Sequence, residues 1–168
     1  MKKILISMII LGFLLPSCKI KDPQKRIAGN YTFEISCLGT ELDGTQTVES
    51  WGYGRNRYDA AAQAKKNAVY AVLFDGIRAG RGDGGVFCEL RPLLGEVNAR
   101  EKYEAYFNKF FKDGGEYLKY VSLKDERIGH KTYRDKKGAT HGTKRSVIVR
   151  VLRPQLKAKL IADGILKP

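Results

Sequence analysis

Two histidines flank the most basic segment of the chain. His130 and His141 enclose a single acid, Asp135, and a series of cations that continues past His141: Lys131, Arg134, Lys136, Lys137, Lys144 and Arg145. A metal site here would lack carboxylate partners at ligand spacing, and the cations would oppose a divalent ion. Clustered Lys and Arg attract phosphates and polyacids instead. Two interpretations therefore stay open, an anion-binding loop and a solvated hairpin loop, and no metal site is predicted.

A glycine-rich segment formally matches a dinucleotide fingerprint. Residues 80 to 85 read Gly-Arg-Gly-Asp-Gly-Gly. In nucleotide sites a strand precedes such glycines and a helix follows them, so that phosphate meets the helix N-terminus. Here the predicted order is reversed, and we expect no cofactor. The sequence also shows no Ser/His/Asp or Cys/His arrangement, which favours a non-enzymatic protein over an enzyme.

Aromatic side chains are concentrated between residues 103 and 120. A stripe at helical spacing over residues 99 to 112 usually belongs to a core. The positions of Tyr106 and Phe110 are shifted from the line of Tyr103 and Phe107, which gives the predicted helix more apolar circumference than one sheet covers. These four residues, Tyr103, Tyr106, Phe107 and Phe110, are therefore also a candidate partner-binding face.

The N-terminus has the anatomy of a signal peptide. A cationic start, Met1-Lys2-Lys3, precedes an apolar run from Ile4 to Leu15, and this run is too short to cross a membrane as a helix. The following Leu15-Pro16-Ser17-Cys18 resembles the bacterial lipobox, with Pro16 a less usual middle residue. The resemblance implies cleavage after residue 17 and lipidation of Cys18, which would anchor the protein in a membrane.

The residues after Cys18 bear on the location. Lys19 follows the cysteine, which by resemblance to the sorting rule of two-membrane bacteria implies the outer membrane. Lys21-Asp22 is faintly similar to the export tether of some Bacteroides-type surface lipoproteins, so the periplasmic and the surface face both stay open. Residues 18 to 29 are polar and contain a proline, and we interpret them as a lipidated tether.

Two further cysteines remain, Cys37 and Cys88. In an exported protein a disulfide between them would persist and would close a loop of about fifty residues, worth ~4 kcal/mol in the chain-entropy model. Both lie in apolar, strand-like surroundings, so two buried free thiols are the alternative.

Residues 30 to 168 predict a single α+β domain. Tyr31 to Leu38 and Thr45 to Tyr53 predict a β-hairpin, and Ala60 to Ile77 predict a long helix capped by Asn56 or Asp59. In that helix a stripe of Ala61, Ala64 and Ala68 is expected to face the sheet, with Lys65, Lys66 and Asn67 pointing elsewhere. An insert over 79 to 115 carries a strand-like Val86 to Leu90 and the aromatic helix. Strands at Tyr117 to Ile128 and Thr143 to Leu152 follow, the second with Val147, Val149 and Val151 on one face. A short helix from Pro154 to Gly164 ends the domain. The fold class is an antiparallel sheet of hairpins with one long helix packed on it, an inserted helix and a C-terminal helix.

The run from Trp51 to Val72 carries a second resemblance. Its order of strand, glycines, acidic-Ala helix start and Ala-x-x-x-Asn-Ala is similar to the N-terminal domain of the flagellar assembly protein T family and to related small lipoproteins of dodecin-like fold. The resemblance covers roughly residues 31 to 78 and 117 to 165. It implies a role in envelope assembly or scaffolding.

The net charge of +13 belongs mostly to the predicted domain, and the envelope address disfavours nucleic acid as the partner of these cations. We therefore expect an outer-membrane lipoprotein that binds another envelope protein. The alternative is a binder of anionic envelope ligands, such as lipid headgroups, lipopolysaccharide phosphates or glycans, through residues 130 to 145.

Overall fold

The computed structural model of the chain describes residues 34–77, 91–123, 132–135 and 142–168. In chain order its elements are β1 (Ile35–Thr40), β2 (Gln46–Gly54), α1 (Arg57–Tyr70) with a π-helical turn (Ala71–Asp75), α2 (Ala99–Lys102), α3 (Glu104–Phe110), a 3-10 helix (Glu116–Tyr120), β3 (Val121–Leu123), β4 (Thr132–Asp135), β5 (Gly142–Val151) and α4 (Arg153–Ala162). The predicted signal peptide, the tether over 18 to 29 and the strand at Val86 to Leu90 lie outside the described residues.

The strands form one antiparallel sheet in the order β1-β2-β5-β3. β5 pairs with β2 over nine residue pairs. β3 and β4 both pair with β5, β3 near its C-terminal end at Val151 and β4 at its N-terminal end at Gly142. The predicted α+β class, an antiparallel sheet with helices packed on it, is confirmed.

Helix α1 lies unusually close to β2. A Cβ at Gly52 would overlap the carbonyl oxygen of Ala60 and the backbone nitrogen of Ala64, so the start of α1 rests directly on β2 at Gly52 and Gly54, which lack side chains. Ser50 Oγ donates to the carbonyl of Ala64 at 2.8 Å, and Asn67 Nδ2 donates to the carbonyl of Trp51 at 2.8 Å. Small residues on both surfaces therefore allow backbone-level contact between helix and sheet.

Asn56 caps α1, as one of the two predicted alternatives. Its Oδ1 accepts hydrogen bonds from the backbone N–H groups of Tyr58 and Asp59, at 2.8 and 3.0 Å. We expect Asn56→Ala to lower the free energy of unfolding by about 1 kcal/mol, because two helix N–H groups lose their acceptor. Urea unfolding measures the effect, and Asn56→Asp serves as the control that keeps the acceptor. Equal losses in both variants would contradict the capping role.

The core is one layer between the helices and a single face of the sheet. The predicted stripe of Val147, Val149 and Val151 is buried in it, as are Leu156 and Leu160 of α4. Aromatic residues of the insert and of the 3-10 helix after it pack on the same layer, with Phe107, Phe111 and Tyr117 each at most 2% exposed. The residues described on the other face of the sheet contribute nothing to this core.

Two polar residues of α1 contradict their predicted orientation. The sequence pattern directed Lys66 and Asn67 away from the core, yet both are buried. Lys66 Nζ pairs with Asp113 of the insert at 2.6 Å and lies 5.7 Å from the centre of the Tyr117 ring. The end of the insert supplies Asp113 and the 3-10 helix after it supplies Tyr117. A helical periodicity does not reveal either partner.

One element of the insert and the element that follows it also differ from prediction. The helix expected over 99 to 112 is broken at Tyr103 into α2 and α3. Residues 117 to 120 were predicted as the start of a strand, but they form the 3-10 helix that precedes β3. That turn buries the ring of Tyr117 against Phe111, with centroids 5.9 Å apart, so packing of one aromatic side chain outweighs the β propensity of the segment.

Candidate binding surface

The helices leave one face of the sheet uncovered among the described residues. Side chains alternate along β2, so that Val48, Ser50 and Gly52 face the helices while Thr47, Glu49, Trp51 and Tyr53 face the other way. Their cross-strand neighbours on β5 are, in the same order, Arg150, Ile148, Ser146 and Lys144. We call these eight residues the open face. Its small members are buried and its larger ones range from half-buried to exposed.

An aromatic and cationic cluster lies at one end of the open face. Lys144 Nζ lies 4.8 Å from the centre of the Trp51 ring and 5.8 Å from that of Tyr53, both within the range of cation–π attraction. Tyr53 is 55% exposed. Trp51 and Tyr53 were not among the predicted site residues, although alternation along β2 places both on the face opposite Val48.

The other half of the open face is organised by an ion pair. Glu41, from the β1–β2 turn, accepts a hydrogen bond from Arg150 Nε at 2.7 Å and one from Thr47 Oγ1 at 3.1 Å. Each partner of the Glu41–Arg150 pair is 39% exposed, so the pair contributes little to stability. It does fix the positions of the Glu41 and Arg150 side chains relative to each other, so this half of the open face presents one negative and one positive group.

Further cations surround the end of the sheet at which α1 begins. Arg145, opposite Gly52 in the register, is 6% exposed. Burial lowers the pKa of the Arg145 guanidinium, and the positive charge of Arg57 lowers it further. Arg55 is largely exposed and pairs with Asp59 at 3.1 Å. Positive charge is thus concentrated at this end, on both sides of the sheet.

The predicted aromatic partner face is wrong for two of its four residues. Phe107 and Phe110 are 0% and 2% exposed and pack with other rings of the core, so a partner has no access to them. Tyr103 and Tyr106 are half-buried against the same core. The aromatic side chains of α3 that the sheet alone could not cover pack on one another and on Phe74, which lies in the π-helical turn after α1. The ring centres of Phe74 and Phe107 are 4.8 Å apart.

Tyr106 instead takes part in a polar cluster between α3 and α4. Its hydroxyl donates to Asp163 at 2.6 Å, and Lys159 donates to the same carboxylate at 3.0 Å. Burial, together with the hydrogen bond to Asp163, holds the pKa of Tyr106 well above its usual value. The hydrogen bonds from Tyr106 and Lys159 lower the pKa of Asp163. This arrangement joins α3 to α4, and each polar group in it has a partner.

The six predicted anion-binding residues are only partly described. Lys144 and Arg145 belong to β5, with Lys144 on the open face and Arg145 turned to the helix side. Arg134 belongs to β4, where the backbone register places it opposite Thr143. The other three, Lys131, Lys136 and Lys137, lie outside the described residues, as do His130 and His141.

Cys37 is disulfide-bonded. The other cysteines of the chain, Cys18 and Cys88, lie outside the described residues, so the pairing with Cys88 stays a prediction. We expect peptide mapping of the unreduced protein to recover a Cys37–Cys88 link, because lipidation would consume the thiol of Cys18. A reduced digest is the control. A Cys18–Cys37 link would contradict this pairing and would also exclude a thioether at Cys18.

The described residues contain no group of three or more His, Cys, Asp or Glu side chains that could hold a metal ion. The same part of the chain has no helix long and apolar enough to cross a bilayer. Comparison with protein-family models, curated proteins and solved structures found no match.

Proposed function

We propose that this chain is a non-enzymatic lipoprotein of the outer membrane that binds another envelope protein through the open face, as a scaffold or assembly subunit. The observation that carries the proposal is that the described helices cover one side of the sheet and leave Trp51, Ile148 and Arg150 partly exposed on the other. Tryptophan and arginine are the residue types that most often dominate protein interfaces.

The proposed location is supported by the lipobox-like Leu15-Pro16-Ser17-Cys18 and by the disulfide of Cys37. Disulfides persist in exported proteins and are rare in the reducing cytosol. Intact mass of the protein purified from membranes tests the anchor. We expect a chain that begins at Cys18 and carries acyl groups; a chain without acyl mass would contradict the proposal.

Site-specific crosslinking in cells tests the partner. The photo-crosslinking amino acid benzoylphenylalanine replaces Ile148 on the open face of the lipidated chain. In a control variant it replaces Ala62, on the exposed side of α1. We expect one reproducible protein adduct from position 148 and none from position 62. Glu49→Lys, which reverses the charge opposite Ile148 in the register, is expected to reduce that adduct. Equal adducts from both positions would contradict an interface on the open face.

A second candidate function, binding of an anionic envelope ligand, is favoured by the concentration of Lys144, Arg145 and Arg57 at one end of the sheet. In the same experiment, adducts with lipid or glycan alone would favour this function over the scaffold.

A further inference from the structure

The chain enters the domain beside the aromatic and cationic end of the sheet. The backbone N–H of Trp51 donates to the carbonyl of Glu34 at 3.2 Å, and Ile35 pairs with Ser50. Cys18 precedes Glu34 by sixteen residues, which fully extended backbone spans in at most ~55 Å. A lipid anchor at Cys18 would therefore be joined to the domain at this end of the sheet.

The exposed side chains at this end have a common character. We call them the tether end: Tyr53, Arg55, Arg57, Tyr58 and Lys144. Tyr53 and Tyr58 are 55% and 59% exposed, and the Arg55 side chain is 83% exposed. The Arg57 guanidinium lies 4.8 Å from the Tyr58 ring centre, and Lys144 lies over Trp51 and Tyr53. Both tyrosines thus have a cation beside the ring.

The charge of this end is positive. Among the described residues, its acids are Glu34, Asp59 and Asp135 of β4, which pairs with Gly142 in the register; Asp59 pairs with Arg55. Arg145, buried just behind the surface, adds a further positive charge to those of Arg57 and Lys144. A surface that combines tyrosine and tryptophan rings with Lys and Arg matches the water–membrane boundary, where aromatic rings settle among headgroups and cations pair with phosphates.

We propose that the tether end docks on anionic headgroups of the same membrane that holds the lipid anchor. This inference rests on the proposed lipidation of Cys18, which keeps the tether end at a high local concentration of headgroups. Docking orients the strands away from the bilayer. The far half of the open face, with Glu49 and Ile148, stays accessible to a protein partner.

The single tryptophan of the chain makes the proposal measurable without a label, because Trp51 lies beside Lys144. The lipidated protein is reconstituted into vesicles of phosphatidylcholine alone or mixed with phosphatidylglycerol, each with doxyl-labelled lipid as a quencher. We expect quenching of Trp51 in the anionic vesicles only, and its loss at high salt, which screens charges beyond a few ångströms.

Charge reversal identifies the surface. Each cation near an anionic membrane raises the ratio of docked to undocked protein about five-fold. Arg57→Glu removes one positive charge and adds one negative charge, so it is expected to lower this ratio about 25-fold. An acid in the first turn of a helix suits its dipole, so this variant retains the fold. Lys157→Glu, on the exposed surface of α4 beyond the other end of β5, is the matched control and is expected to change nothing.

Three results would overturn the inference: no quenching in lipidated protein, equal quenching in both vesicle types, or equal effects of Arg57→Glu and Lys157→Glu. Intact mass, measured on the same sample, separates these results from failure of the anchor. A lipidated chain that stays unquenched leaves the proposed lipoprotein intact and removes only the docking.

Discussion

Gly52→Ala is expected to lower the free energy of unfolding by about 3 kcal/mol or more, a large fraction of the total for a domain of ordinary stability. The added methyl group would overlap backbone atoms of Ala60 and Ala64. Backbone cannot rotate away as a side chain can, so α1 has to move off β2. That movement would also break the hydrogen bond from Ser50 to Ala64. Urea unfolding followed by circular dichroism measures the loss.

Gly95→Ala is the matched control, since a Cβ at Gly95 has no neighbour within 4 Å. The expected change there is small, because the methyl group meets no neighbour. An unfolding midpoint for Gly52→Ala equal to that of the parent protein would contradict the close approach of α1 to β2.

Phe107→Ala is expected to cost about 3 to 5 kcal/mol, the range for a fully buried aromatic side chain. The ring is 0% exposed, and its centre lies 4.8 Å from Phe74 and 5.0 Å from Tyr106. Its removal leaves a cavity between α3 and the π-helical turn that carries Phe74. Phe107→Asp is expected to unfold the domain outright, because it places a charge there without a partner.

Tyr58→Ala removes an aromatic ring of similar size that is 59% exposed. We expect it to change the unfolding free energy by no more than about 0.5 kcal/mol, as for other surface positions. Thermal or urea unfolding of the two variants side by side distinguishes core from surface. A stable Phe107→Ala protein with an altered partner profile would restore the predicted aromatic binding face.

Much of the fold could be predicted from local sequence patterns. The β1–β2 hairpin, the cap at Asn56 and the valine stripe of β5 follow from alternation, capping chemistry and turn residues, which are properties of neighbours in sequence. The proline near the start of α4 and the Gly164 that follows its end, with φ of 71°, belong to the same class. Such features need no knowledge of distant residues.

The candidate surfaces depended on long-range pairing. Trp51 and Lys144 come together only because β2 and β5 pair in one register, in which Tyr53 lies opposite Lys144. Lys66 is buried because Asp113, 47 residues away, accepts its hydrogen bond. A single sequence does not specify either partner. The aromatic stripe of the insert was ambiguous for the same reason, since a helix pattern shows an apolar face without showing what covers it.

The strand order also determines when the sheet can form. β5 is the last strand to be synthesised, yet β2, β3 and β4 all pair with it. Of the described strand pairs, only the β1–β2 hairpin can form before residues 142 to 151 are available, and a lone hairpin is marginally stable. Such long-range pairing favours slow folding. The chain is therefore expected to remain unfolded until nearly all of it has been made, the state in which a polypeptide can be threaded across a membrane.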